Sequence, residues 1–163
     1  MLISLNKSLA EKRCNNMKLY LDLCVFNRPF DFQGQDRISL ETNIFIYILE
    51  QIEKGIHELI ISDAIIYENE KNPDEQRRIR IESFLQLAKT CLIIEIEDVK
   101  RAHIIQKSGF YGIDAFHIAL AERANVDYYI TCDDNMVKHY IKDKKSIKVP
   151  IIKITEFISL EVK

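Results

Sequence analysis

Residues 20–29, YLDLCVFNRP, place a carboxylate, Asp22, inside an apolar run of strand length and follow it with a polar turn containing proline. Charged side chains seldom enter such a run without a partner, because removing them from water is costly. Asp22 is therefore either a strand-end residue held by hydrogen bonds or part of a site that needs negative charge.

Working outward, the run containing Asp22 is the first of five. They are KLYLDL (18–23), ELIIS (58–62), CLIIEI (91–96), DYYIT (127–131) and VPIIKI (149–154), each about as long as a typical strand. Helical patterns separate them. Over 36–53, Ile38, Ile44, Phe45, Ile48, Leu49 and Ile52 form one stripe, with Gly55 as a stop beyond it. Over 73–90, Pro73 is placed to open a helix whose apolar face is Ile79, Ile81, Phe84, Leu85 and Leu87. Further helices are expected near 63–71, 97–107, 112–124 and 135–142. Continuous apolar strands alternating with helices imply a mostly parallel sheet covered on both faces. The expected fold is a three-layer α/β/α sandwich with about five strands, whose ligands bind at the carboxyl ends of the strands.

With 163 residues, 47% of them hydrophobic and 29% charged, the chain suits one soluble domain with a single core. A net charge of −2 argues against a generally basic, nucleic-acid-coating protein but leaves local basic surfaces open. No apolar run approaches the roughly 18–20 residues of a membrane span. Residues 1–16, MLISLNKSLAEKRCNN, lack the basic and apolar segments of a secretory signal. They read as an appendage, of the kind an upstream start codon adds to a chain beginning MKLYLD, with 17–163 as the domain. Cys14, Cys24, Cys91 and Cys132 are scattered, as expected of reduced cytoplasmic thiols, and Cys91 reads as core.

Four acids fall at equivalent places. Asp22 lies near the end of the first strand, Glu68 in the helix after the second, Asp114 in the first turn of a helix, and Asp133 just after the fourth strand. Each alone has an ordinary account. Asp114 suits a helix N-terminus, Asp133 or Asp134 suits a helix cap, and Glu68 suits a solvated face. Together they would repel one another and raise each other's pKa unless a cation intervened. Carboxylates and water hold hard ions such as Mg²⁺ or Mn²⁺, and such ions activate water for phosphodiester hydrolysis.

The combination resembles the PIN-domain family of metal-dependent nucleases, which includes the VapC-like toxin ribonucleases of toxin–antitoxin pairs. The resemblance covers residues 17–157. YLDLCVFNRPFD is similar to the family's first acidic motif, ISDAIIYENEKNPDEQRR to the segment with its helix glutamate, and GIDAFHIALAERANVDYYITCDDN to its third and fourth acidic motifs. It implies that Asp22, Glu68, Asp114 and Asp133 bind Mg²⁺ or Mn²⁺, the first and third most directly. It also implies an endoribonuclease acting on single-stranded or looped RNA, an antitoxin partner and a homodimer. Where the family has Ser or Thr shortly after the first aspartate, this chain has Leu23 and Cys24, so a weak thiol donor replaces a hydroxyl. Thr131 keeps the hydroxyl expected before Asp133.

Further candidates follow. Arg28 lies close behind Asp22, and Lys138 and Lys142, one helical turn apart, are placed to meet phosphate. Asp134 is a candidate second support for the acids and Asn135 a helix cap. His117 reads as a packing residue that could also orient a carboxylate, and Glu41 as part of a solvated face. Two other classes stay open. A non-catalytic RNA-binding or assembly module of the same fold would not need the acids. A phosphatase would also place an aspartate after a strand, but the DxD pattern fails at Cys24.

Overall fold

The structure, a computed structural model, describes residues 16–161. All but the last residue of the expected appendage, together with Cys14, lies outside the described residues. The five strands are β1 (Lys18–Leu21), β2 (Glu58–Ser62), β3 (Thr90–Leu92), β4 (Tyr128–Thr131) and β5 (Ile151–Lys153). They form one sheet in the order β3-β2-β1-β4-β5, and every pairing is parallel. Among the described residues eight α-helices accompany them, with a short 3-10 helix (Arg28–Phe30) after the first: α1 (Leu23–Asn27), α2 (Asp36–Glu53), α3 (Asp63–Glu70), α4 (Glu75–Leu85), α5 (Ile96–Gln106), α6 (Ile113–Arg123), α7 (Asp134–Lys142) and α8 (Ile154–Glu161). The three-layer α/β/α expectation holds.

The order has a functional consequence. The chain leaves β1 in one direction to β2 and β3, then returns to the other side of β1 for β4 and β5. Strand order thus reverses between β1 and β4, which opens a crevice at their carboxyl ends. Leu19, Tyr20 and Leu21 are fully buried in the central strand, and Tyr20 stacks on Tyr129 of β4 with ring centroids 5.4 Å apart. The α2 stripe packs as its spacing predicts, with Ile44, Phe45, Ile48, Leu49 and Ile52 buried, and Gly55 follows at φ +71°.

Several local expectations change. β1 stops at Leu21, because Asp22 adopts the N-cap position of α1, and LCVFN turns helical instead of continuing the strand. VPIIKI contributes only three strand residues before α8 begins at Ile154. Pro73 lies ahead of α4, whose cap is Asp74, accepting the N–H of Arg77 at 3.0 Å. Ile79 is exposed, so α4 buries Ile81 and Leu85 rather than the wider face expected. Cys91 is exposed, not core, because β3 is a sheet edge.

Candidate acidic site

Asp22 leaves β1 with extended backbone (φ −65°, ψ 149°), and its N–H still donates to Ile130 O of β4 at 2.9 Å. Its side chain does not cap α1. Oδ2 instead accepts Thr131 Oγ1–H at 2.7 Å and Cys24 Sγ–H at 3.2 Å. Asp22 is only 7% exposed, and burial raises its carboxyl pKa against the lowering influence of His117, Thr131 and Cys24. Thr131 Oγ1 also accepts the N–H of Asp133 at 3.0 Å, and Cys24 Sγ accepts the N–H of Cys132 at 3.2 Å. These two side chains stitch the ends of β1 and β4 together across the crevice.

Asp114 enters from α6. The turn before it needs Gly112, at φ +54°, a conformation that side chains with a Cβ rarely adopt. Burial raises the half-buried Asp114 carboxyl to about 6, followed by the charge of Asp22; Glu68 and Asp133 add to the rise and His117 opposes it. All four acids therefore act in one electrostatic neighbourhood.

Glu68 reaches this neighbourhood on a buried relay. Its Oε2 lies 3.0 Å from His117 Nε2; His117 Nδ1 lies 2.8 Å from Tyr20 Oη, and Tyr20 Oη lies 2.6 Å from Ser62 Oγ. Burial pushes the Tyr20 phenol well above its usual range, so it keeps its proton. One consistent pattern follows: Ser62 donates to Tyr20, Tyr20 to His117 Nδ1, and His117 Nε2–H to Glu68. His117 is fully buried, as a packing residue would be, and it also orients a carboxylate. The pattern of apolar residues gave no hint of Tyr20 and Ser62 as its partners.

Asp133 is the α7 cap, its Oδ1 accepting Asn135 N–H at 2.7 Å and Met136 N–H at 3.4 Å. Asn135, expected as a cap, instead lies within the helix. Asp134 turns away from the four acids, to Arg37 at 2.8 and 3.1 Å and Lys153 at 2.7 Å, and these hydrogen bonds hold its carboxyl well below the usual range. Arg28 is committed to Glu41 and, at 2.8 Å, to Asp31. Glu41, expected on a solvated face, is 2% exposed between Arg28 and Arg37, whose guanidinium groups make its burial tolerable. The i,i+4 spacing of Arg37 and Glu41 was the available signal. Lys138 and Lys142 are exposed one turn apart on α7.

The donor set suits a hard divalent ion: all four are carboxylates, and three give one oxygen to protein donors, leaving another for a ligand. As the side chains stand, no three His, Cys, Asp or Glu residues among those described form a group able to hold a metal ion. Holding one would require side-chain rotation, which like-charge repulsion disfavours until a cation is present.

This architecture is PIN-like, a three-layer α/β/α sandwich around an all-parallel five-stranded sheet. Among solved structures, the chain is similar to VapBC2 from Rickettsia felis, crystallised with a DNA fragment from its promoter. The TM-score is 0.52 at 18% identity, over 84% of this chain and 98% of that one. No protein-family model matches the sequence, and no curated protein matches it. At such identity the likeness is one of fold.

Proposed function

We propose that the protein is a divalent-metal-dependent phosphodiesterase, an endoribonuclease that cuts single-stranded or looped RNA and serves as the toxin of a toxin–antitoxin pair. The observation that carries this reading is the gathering of Asp22, Glu68, Asp114 and Asp133 at the switch-point crevice with no lysine or arginine paired to them among the described residues. Bound Mg²⁺ or Mn²⁺ would supply charge neutralisation and an activated water for attack on phosphorus. In this reading Asp22 and Asp114 hold the ion most directly. Thr131 and Cys24 fix one oxygen of Asp22, so the other faces the ligand with little freedom. His117 orients Glu68, and the α7 cap orients Asp133; these two carboxylates complete the ion's environment or hold the attacking water. Arg28, Lys138 and Lys142 are the candidates for positioning phosphate.

The likeness to VapBC2 supports an antitoxin partner, and a homodimer belongs to the same reading. The three described cysteines are free, in keeping with cytoplasmic thiols, and no described helix is long and apolar enough to cross a membrane. The test is RNA cleavage with Mg²⁺ or Mn²⁺ beside thermal melting. Wild type should cut and gain about 2.7 kcal/mol of stability at a hundredfold excess of ion over Kd. Asp22→Asn and Asp114→Asn should remain folded, lose cleavage and lose most of that gain. Full activity in both variants rejects the assignment, and binding of RNA without cleavage, indifferent to the acids, supports a non-catalytic module.

A further inference from the structure

A groove of about 420 Å³ lies beside the acids, lined by Asp63, Ala64, Tyr67, Ile94, Ile113 and Phe116. Its volume lies in the range of small-molecule pockets, roughly 300–1,000 Å³. The helices that build it are those that carry the acids. On α3, Ala64 and Tyr67 are three residues apart and line the groove, while Glu68, next in sequence to Tyr67, points to His117. On α6, Ile113 and Phe116 have the same spacing, and each is followed directly by a residue of the acidic neighbourhood, Asp114 and His117. Residues three apart share a helix face, so groove and acids occupy adjacent stripes of both helices.

Three features describe the occupant. Tyr67 is 55% exposed, and it joins Phe116 in lining the groove with aromatic side chains. The Lys71 ammonium lies 4.8 Å from the Tyr67 ring centroid, bringing a cation to the rim. Asp63 Oδ2 accepts the N–H of Ile94 at 3.0 Å, whereas Asp63 Oδ1 is buried with no hydrogen-bond partner among the described residues. A buried acceptor without a donor is destabilising, and Asp63 lines the groove, so a ligand N–H that reaches Oδ1 through a small shift of the side chain gains there. The apolar face of a peptide helix offers no such donor. A nucleobase offers a flat face for the aromatics, an exocyclic amine for the carboxylate and an adjoining phosphate for the lysine.

We propose that this groove is a nucleobase subsite, which stacks one base of the strand beside the scissile phosphate on Tyr67 and favours a base with an exocyclic amine through Asp63. The proposal rests on the ribonuclease reading for its substrate, and the experiment separates the two. Single-stranded RNA oligonucleotides, intact or carrying one abasic residue at successive positions, are cut in Mn²⁺ by wild type, Tyr67→Ala, Tyr67→Phe and Asp63→Asn. Binding of the same RNAs to Asp114→Asn, with and without Tyr67→Ala, is followed by fluorescence anisotropy.

Base–aromatic stacking corresponds to a factor of about ten or more per base. Wild type should lose about that factor in kcat/KM when the base at one fixed position beside the cut is missing. Tyr67→Ala should lose it on intact RNA and nothing further on that abasic RNA, with Tyr67→Phe restoring it. Asp63→Asn should abolish the preference for amine-bearing bases over uracil. An equal effect of Tyr67→Ala on intact and abasic RNA, or none, overturns the proposal. So does an unchanged base preference in Asp63→Asn, or an oligomer that Tyr67→Ala dissociates, which would make the groove a protein interface. Tyr67-dependent, base-dependent binding by a protein that cuts nothing would keep the subsite and reject the nuclease. No RNA binding at all rejects both.

Discussion

Two of the regions that bury carboxylates handle the charge in opposite ways. At the junction of α2 with the loop after α1, Glu41 is 2% exposed and lies between Arg28 and Arg37, with Arg37 also reaching Asp134 and Cys132 O. Asp22 is nearly as enclosed, and its partners are a hydroxyl, a thiol and, at longer range, His117 and the acids Glu68 and Asp114. The first arrangement is electrically closed. The second leaves negative charge uncompensated in a part of the protein where desolvation makes it costly. Arginines stand nearby in the sequence, yet among the described residues they pair elsewhere. A fold that closes one such cluster and leaves its neighbour open has an open cluster suited to a cation from solution.

The largest effect that tests this contrast is on the closed side. Glu41→Ala would strand two guanidinium groups, and removing one partner of a buried pair costs about 3–5 kcal/mol. Arg28 keeps Asp31 and Arg37 keeps Asp134, so the lower end, about 3 kcal/mol, is expected in denaturant unfolding. Asp114→Asn on the open side should instead leave stability unchanged or raised in the absence of metal. Equal destabilisation by both substitutions would erase the distinction between the two regions.

The next effect is its pH dependence. A carboxyl raised from 3.8 to about 6 is protonated more readily in the folded chain than in the unfolded one. Its contribution to stability is therefore fully present below pH 4 and is lost as pH rises through about 6. The shift corresponds at most to ~3 kcal/mol. Solvent screening of this half-buried group reduces that to about 1–2 kcal/mol. Metal-free wild type should fall behind Asp114→Asn between pH 4 and 7, and Mn²⁺ should close the gap at pH 7 but not at pH 5, where protons compete for the ligand. A constant difference between the two proteins across that range would show that Asp114 does not carry the neighbours' charge.

The contrast between the regions also marks what could be read in the sequence. Strand β2 and helix α2 match their expected bounds because their periodicities are uninterrupted and their ends carry clear stops. Asp22, Glu68 and Asp133 could be placed near one sheet edge because each lies at a strand end or in the helix that follows, whereas Asp114, on a helix that follows another helix, had only its first-turn position. What escaped depended on the third dimension. LCVFN read as part of an apolar run of strand length because its four apolar residues suit either structure, and only the turn at Asp22 decides for helix. Glu41 looked solvated because Arg28 approaches it from another segment. Cys91 looked buried because strand order, which makes β3 an edge, is not written in local composition. The Ser62–Tyr20–His117–Glu68 relay joins β1, β2, α3 and α6, and no window of sequence contains it.

The smallest expected effect concerns Cys24, the donor that sets the open cluster apart from a hydroxyl-lined one. Its thiol is pushed well up by contact with Cys132, by burial and by the charge of Asp22, so it remains S–H and donates to Asp22 Oδ2. The same sulfur accepts the N–H of Cys132. Cys24→Ser gives Asp22 a stronger donor, but the shorter C–O bond draws the acceptor away from Cys132. Two opposing changes of roughly 0.5–1.5 kcal/mol each should nearly cancel in stability. They should not cancel in ion binding, because in the proposed reading Asp22, and not Cys132, would hold the ion: serine should keep it more firmly in its charged form and change Mn²⁺ affinity by less than about tenfold. Calorimetric titration beside thermal melting separates the two quantities. If Cys24→Ser abolished binding of a hard ion, sulfur would be acting on the metal itself, and Cys24 would have to be counted as a ligand rather than a support for Asp22.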